Sequence, residues 1–229
     1  MSHSSGQLSS LDLPKYIEHT CLSQETDEAG IRSLCAEAIE AGFHGVVVNP
    51  AWVKTAAAEV KGTSVVVVSV AGFPLGAQRT DVKIYEALKA FEDGATEVDI
   101  VANIGFIKSG RLTEMATEIL TLKTMMEEGQ LLKVIIEANK LTVEEQKQTV
   151  KALIDGKADF VKTGTGFFGP TSVEQVAALV QAAEGRIRVK AAGGIRTVED
   201  CLRLIEAGAD RIGTSAGKAI FADWQARQG

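Results

Sequence analysis

Cysteine is scarce in this sequence, and its placement argues against a framework of structural disulfides. The chain has 229 residues and three cysteines, Cys21, Cys35 and Cys201, without any Cys-x-x-Cys pair. An odd number of widely spaced cysteines, in a chain long enough to bury a large core, is typical of reduced thiols. We therefore expect a cytoplasmic protein.

Long apolar segments and an excess of basic charge are also missing. Apolar runs such as Val65–Val68 are far shorter than the ~20 residues that cross a bilayer. Residues 1–14 have no basic, apolar leader and are predicted to form a polar tail. The 24 basic and 30 acidic residues give a net charge of −6, whereas general nucleic-acid binders need a basic face. We expect neither a membrane nor a nucleic acid as partner.

Three common catalytic motifs are absent as well. The first predicted strand is not followed by the glycine-rich turn that binds dinucleotides. There is no Gly-x-Ser-x-Gly nucleophile elbow, which argues against a hydrolase that uses serine. His3, His19 and His44 lack the spacing of metal ligands. The sequence predicts neither a metal nor a cofactor.

A repeated unit of helix, glycine and β-branched run dominates the chain. Glycine is common just past a helix end, where a positive φ is often needed, and a continuous apolar run indicates a strand covered on both faces. The glycines are Gly42, Gly62, Gly94, Gly129, Gly156, Gly185 and Gly208. The predicted strands are Tyr16–Thr20, Gly45–Asn49, Ser64–Ala71, Glu97–Ala102, Leu132–Glu137, Asp159–Thr163, Ile187–Ala191 and Arg211–Thr214.

Eight such units predict an α/β fold, a single-domain (β/α)8 TIM barrel over residues 15–229. Thr142 with Glu145, and Ser172 with Gln175, have the spacing of capping boxes at helix starts. An open, doubly wound sheet is the rival architecture, but its usual dinucleotide turn is missing. In a barrel the reacting groups lie at the carboxyl ends of the strands.

Two lysines interrupt otherwise apolar strands at those ends. Lys162 follows Phe160-Val161, and Lys190 ends the run that begins at Ile187. Burial and a neighbouring like charge both lower the pKa of an amine, which makes it a nucleophile able to form a Schiff base. The alternative is that one or both reach the solvent at the rim.

A carboxylate and several glycine clusters accompany these lysines. Asp99 would pair with a lysine if it faces the barrel interior, but its orientation stays open from sequence alone, and a structural ion pair is the alternative. The glycines after the last three strands would let backbone N–H groups converge on a phosphate. Tight turns that need positive φ are the alternative explanation.

The motifs together resemble the 2-deoxyribose-5-phosphate aldolase family of class I aldolases. The resemblance covers about residues 15–221. The segments that carry it are 17–20, 48–50, 72–76, 97–99, 160–163, 189–191, 193–197 and 211–215.

The resemblance implies roles for individual residues. Lys162 would form the Schiff base, Lys190 would perturb its pKa, and Asp99 would relay protons. The reaction would cleave deoxyribose 5-phosphate reversibly to acetaldehyde and glyceraldehyde 3-phosphate, without a metal. The residues expected to bind the substrate and its phosphate are Thr20, Thr165, Gly166, Gly193, Gly194, Arg196, Gly213 and Ser215.

The chain departs from the family pattern where three hydroxyls are replaced. Gly164, Ala192 and Ala216 stand where the family commonly has serine. Two alternatives therefore stay open: an aldolase of the same family with another aldehyde or sugar substrate, or a non-catalytic barrel that binds a sugar phosphate. The resemblance also implies a homodimer or a larger homo-oligomer.

Overall fold

The predicted β-branched runs form eight strands, which pair in chain order into a closed parallel barrel. The computed structural model describes residues 11–228. The strands are β1 (Ile17–Cys21), β2 (Gly45–Val48), β3 (Val66–Ala71), β4 (Glu97–Val101), β5 (Leu131–Ile135), β6 (Phe160–Lys162), β7 (Arg188–Ala192) and β8 (Arg211–Thr214). β8 closes the barrel on β1, where Ile212 is opposite Ile17. The predicted single-domain (β/α)8 fold is confirmed, and the open sheet is excluded.

Helices connect successive strands and cover the outside of the barrel. The α-helices are α1 (Glu28–Ala41), α2 (Val53–Glu59), α3 (Thr80–Glu92), α4 (Ile104–Lys108), α5 (Leu112–Met125), α6 (Val143–Asp155), α7 (Val173–Ala183), α8 (Val198–Glu206) and α9 (Gly217–Ala226). Short 3₁₀ helices occupy Leu13–Tyr16, Pro50–Trp52 and Ala138–Lys140. Both predicted capping boxes are present, at Thr142 and Ser172, so α6 and α7 begin where expected. Between residues 11 and 228, no helix combines the length and apolar character needed to cross a bilayer.

The inner end of the predicted polar tail is part of the folded domain. Residues 1–10 lie outside the described residues, but Leu13 and Pro14 are buried in the first 3₁₀ helix. Leu13 is fully buried and joins the main hydrophobic core. Burial of this side chain removes apolar surface from water, so the boundary expected at residue 15 falls too late in the chain.

Gly156 differs from the other predicted helix-ending glycines. The remaining six have positive φ, whereas Gly156 has φ −75° and Lys157 after it adopts φ 62°. A Cβ at Gly156 would lie 3.0 Å from the carbonyl oxygen of Ala116 in α5. Close packing of two helices, rather than a left-handed turn, therefore favours glycine at this position.

The two faces of the strands meet different surroundings. On β4, Val98 and Ile100 belong to the main core, whereas Asp99 lies among charged side chains inside the barrel. On β2 and β3 the inward positions are apolar, because Val47 and Val68 form a small separate cluster with Val70. The barrel interior is therefore apolar on one side and charged on the other, and Asp99 faces the charged side.

Candidate active site

The two strand lysines meet at one carboxylate inside the barrel. Lys162 on β6 and Lys190 on β7 are opposite each other in the strand register. Their side chains are 4% and 0% exposed, which excludes the alternative that they reach solvent at the rim. Asp99 Oδ2 accepts hydrogen bonds from Lys162 Nζ at 2.7 Å and from Lys190 Nζ at 2.6 Å. A single anion thus holds two like charges together.

A third lysine extends these contacts toward the amino-terminal end of the barrel. Lys133 Nζ on β5 lies 3.1 Å from Asp99 Oδ1 and 3.4 Å from Glu18 Oε1, and it contacts Glu97 Oε2 directly. Lys190 also donates to Glu18. All of these groups are at most 5% exposed. We call these six residues the interior charge network: Glu18, Glu97, Asp99, Lys133, Lys162 and Lys190.

The network leaves Lys162 as an amine that can lose its proton near neutral pH. Burial is the largest influence and lowers the pKa of Lys162; Asp99 opposes it, Lys190 reinforces it, and the resulting pKa is about 8. With that pKa, roughly a quarter of the Lys162 side chains are neutral at pH 7.5. The neutral amine is the form that attacks a carbonyl.

The pKa values of Asp99 and Lys133, unlike that of Lys162, keep these two groups charged. Burial by itself would raise the pKa of Asp99, but Lys133, Lys162 and Lys190 together keep it well below its usual range. Burial would lower the pKa of Lys133, yet Asp99, Glu18 and Glu97 outweigh this effect and raise it. Lys133 is therefore a permanent cation beneath Asp99, whereas Lys162 can become neutral.

Sequence reasoning missed Lys133 and the inward role of Glu18. Lys133 interrupts the apolar run of β5 just as Lys162 interrupts that of β6, so the same signal was present. Its place one layer below the strand end, at the register position of Asp99, separates it from the rim residues. Glu18 lies two residues before Thr20, the strand-end position at which a substrate-binding group is expected.

One set of side chains has the composition of a metal site. In the described part of the chain, ligand atoms of Glu18, His44 and Glu97 lie within 4.8 Å of one another. The Lys133 ammonium already contacts both carboxylates, and His44 Nε2 lies 3.0 Å from Glu97 Oε1. A protein cation thus occupies the position that a metal would need, and metal independence stays a prediction.

An open cavity of about 390 Å³ lies above the network, at the carboxyl ends of the strands. Lys162 reaches its floor, while Asp99 and Lys190 lie beneath it. Every residue predicted to bind the substrate lines this cavity: Thr20, Thr165, Gly166, Gly193, Gly194, Arg196, Gly213 and Ser215. The structure therefore brings these residues together around one cavity, and their binding roles stay predictions.

The β7 side of the cavity has the features of an anion subsite. Gly193 and Gly194 adopt φ 108° and 73°, which side chains rarely tolerate. Arg196 is exposed next to them, and its guanidinium pairs with no carboxylate among residues 11–228. Consecutive glycines and an unpaired arginine suit a phosphate ester.

The three missing hydroxyls are not equivalent in space. Ala192 lines the cavity, whereas Gly164 and Ala216 do not. Gly164 faces the carboxylate of Glu137, and the amide of Ala216 donates to the Thr214 hydroxyl. Of the three replaced positions, only Ala192 therefore lies on the surface of the cavity.

A buried lysine with a lowered pKa, next to a second lysine and a carboxylate at the end of a barrel strand, defines an enzyme site for Schiff-base chemistry. Comparison with known proteins places the chain within this class. A model of the DeoC/LacD family aldolases matches residues 15–223. The chain belongs to that family.

Individual relatives and structures agree with this assignment. A deoxyribose-phosphate aldolase from Thermococcus gammatolerans is 47% identical over 214 residues, 92% of this chain and 95% of the relative. The structure of an aldolase called QR15 superposes with a TM-score of 0.91 at 40% identity and covers 95% of this chain and 97% of that one. A tetrameric deoxyribose phosphate aldolase from Aeropyrum pernix has a TM-score of 0.87 at 29% identity, covering 98% and 99% of the two chains.

The pKa of Lys162 predicts the pH dependence of imine formation. The neutral amine is required, so kcat/KM for an aldehyde substrate should rise about tenfold per pH unit below the pKa of about 8 and level off above it. Rates measured from pH 6 to 9.5 in one buffer series at constant ionic strength would test this. A flat profile, or an inflection near 10, would contradict the assignment of Lys162 as the titrating nucleophile.

Proposed function

We propose that this protein cleaves 2-deoxy-D-ribose 5-phosphate reversibly to acetaldehyde and D-glyceraldehyde 3-phosphate through an imine on Lys162. The observation that carries the proposal is the position of Lys162 Nζ. It lies at the floor of the cavity and 2.7 Å from Asp99, with the glycines and Arg196 at the rim. Family membership and the relatives' shared name support the substrate.

The reaction begins with attack by the neutral Lys162 amine on C1 of the open-chain sugar. Loss of water from the resulting carbinolamine gives a protonated imine. The positive charge on its nitrogen stays close to Asp99, whose carboxylate stabilises it. Val47, Val68 and Val70 add an apolar cluster inside the barrel, and low polarity around a charged pair strengthens its electrostatic interaction.

Cleavage then breaks the bond between C2 and C3, because acetaldehyde carries C1 and C2. The C3 hydroxyl gives up its proton, the O–H electrons form the new carbonyl, and the electrons of the broken bond form an enamine. The imine nitrogen loses its positive charge in this step. Asp99 then has one cation fewer beside it, so its affinity for a proton rises. It can therefore accept the proton from the C3 hydroxyl, directly or through water.

Return of that proton to C2 of the enamine restores the imine, and water hydrolyses it to acetaldehyde and free Lys162. Lys190 donates to both Asp99 and Glu18 throughout, which holds Asp99 between the two lysines. These contacts support the roles proposed for Lys162, Lys190 and Asp99. No metal takes part, because the protonated imine accepts the electrons.

Borohydride trapping tests the nucleophile. Incubation with acetaldehyde followed by reduction should add an ethyl group to Lys162 alone, as located by peptide mass spectrometry. Lys162→Met should abolish both the adduct and cleavage of deoxyribose 5-phosphate, while EDTA should leave the rate unchanged. An adduct on another lysine, or turnover by Lys162→Met, would refute the mechanism.

The phosphate end of the substrate is expected at Arg196 and the neighbouring glycines. Replacement of Arg196 by Gln should lower kcat/KM for deoxyribose 5-phosphate by about tenfold or more, since a hydrogen bond to a charged group contributes ~1.5–3 kcal/mol. The rate with unphosphorylated deoxyribose, measured in parallel, should change less than about twofold because it lacks that group. Equal losses on both substrates would place the phosphate elsewhere.

A second candidate function is an aldolase that prefers an unphosphorylated aldehyde or sugar. The absence of a hydroxyl at Ala192, which lines the cavity, favours it. The ratio of kcat/KM for the two substrates in the unmodified enzyme distinguishes these candidates. A non-catalytic sensor would bind the sugar phosphate without turnover and would keep that affinity in Lys162→Met.

We also propose that the protein is a cytoplasmic homo-oligomer. The tetramer formed by the Aeropyrum pernix relative supports assembly. Burial raises the pKa of Cys35 to about 11 and that of Cys201 to about 12, which keeps these thiols protonated and suits a reducing compartment. Light scattering of the purified protein should give a molar mass at least twice the 24.3 kDa of one chain; a monomer would refute the assembly.

A further inference from the structure

The segment after β6 that borders the cavity is held by a carboxylate outside the interior charge network. Glu137 follows β5 and is only 2% exposed. Its Oε2 atom accepts two hydrogen bonds from Thr165, from the hydroxyl at 2.7 Å and from the backbone N–H at 3.1 Å. Thr165 is thus engaged through both of its donors by a protein group.

The backbone at Glu137 is held in an unusual conformation. Its φ of 48° and ψ of 61° lie in the left-handed region, which costs energy for a residue other than glycine. The Ala138 N–H donates to the Thr163 carbonyl at 2.7 Å and continues the contact between β5 and β6 beyond both strands. Such a conformation persists where surrounding contacts determine it, and here those contacts are with the β6 segment.

Gly164 is shaped by the same carboxylate. A Cβ at this position would lie 2.7 Å from Glu137 Oε1, closer than real side chains approach. The φ of Gly164 lies outside the left-handed range, so space rather than backbone strain disfavours a side chain. Oε1 is itself buried and has no hydrogen-bond partner among the described residues. Glu137 therefore faces two consecutive residues of the segment.

We propose that Glu137 is a positioning residue for substrate affinity, which holds the segment 163–166 in place at the cavity through Thr165. The proposal rests on the proposed phosphorylated substrate. Since both Thr165 donors face Glu137, Thr165 contributes to phosphate binding indirectly, by presenting Gly166 and the neighbouring backbone to the cavity. This changes the role that the sequence predicts for Thr165 from ligand to support.

A double-mutant cycle tests this inference. Glu137→Ala should raise KM for deoxyribose 5-phosphate about tenfold and leave kcat within about threefold of the unmodified value. Thr165→Val should raise KM about threefold, because both substitutions remove hydrogen bonds from the same contact. The double variant should be no worse than Glu137→Ala. If Thr165→Val costs the same factor in both backgrounds, Thr165 binds the phosphate directly and the inference is overturned.

Conservative variants provide matched controls. Thr165→Ser keeps the hydroxyl and Glu137→Gln keeps an oxygen acceptor, so both should stay within about threefold of the unmodified KM. Gly164→Ala should raise KM in the unmodified background but not beside Glu137→Ala, where the space is free. The inference would also be overturned if Glu137→Gln raised KM as much as Glu137→Ala does. It would be overturned as well if Gly164→Ala still raised KM beside Glu137→Ala.

Two further readouts separate this inference from its premises. Each variant should form the Lys162 adduct with acetaldehyde and borohydride as fast as the unmodified enzyme, because acetaldehyde lacks the phosphate. Thermal unfolding should confirm that each variant is folded at the assay temperature. If the unmodified enzyme does not favour the phosphorylated sugar, the proposed substrate fails, whereas the cycle on the preferred substrate still decides the role of Glu137.

Discussion

The three ion pairs that Asp99 forms with Lys133, Lys162 and Lys190 determine most of the chemistry that this barrel can support. Burying an isolated carboxylate or ammonium is very unfavourable, so the groups are retained only as a mutually compensating set. Three carboxylates face three lysines in the interior charge network. When Lys162 loses its proton, the set carries one uncompensated negative charge. This explains why the pKa of Lys162 falls only to about 8 although the side chain is buried.

The division of the barrel interior into an apolar and a charged side serves the same chemistry. Val47 and Val68 contribute no polar atoms, so Lys162 and Asp99 interact across a medium of low polarity. The proposed position of the phosphate end is instead at Gly194 and Arg196, which line the cavity and are exposed, so that water can share its charge.

The eight units of the closed barrel and the two lysines that meet at Asp99 could be predicted because each leaves a local signal in the chain. A lysine inside an apolar run is one such signal, and it applies equally to Lys133. The orientation of Asp99 could not be predicted, since apolar residues stand on both faces of β4, Val98 and Ile100 on one face and Val101 on the other. The partner of Thr165 was also beyond sequence reasoning: Glu137 was placed at the end of a predicted strand, but it lies 28 residues away and no local pattern links the two residues.

The three positions without a hydroxyl, Gly164, Ala192 and Ala216, do not all affect the binding of a phosphorylated substrate. Replacing a serine costs phosphate affinity only where its hydroxyl would reach the cavity, and of the three positions only Ala192 lies on that surface. At Gly164 a Cβ would lie 2.7 Å from an oxygen of Glu137, so a side chain there would meet this carboxylate rather than a ligand. At Ala216 the backbone amide is already used by Thr214. The anion subsite therefore keeps its glycine backbone and its arginine, which favours a phosphorylated substrate over the unphosphorylated alternative.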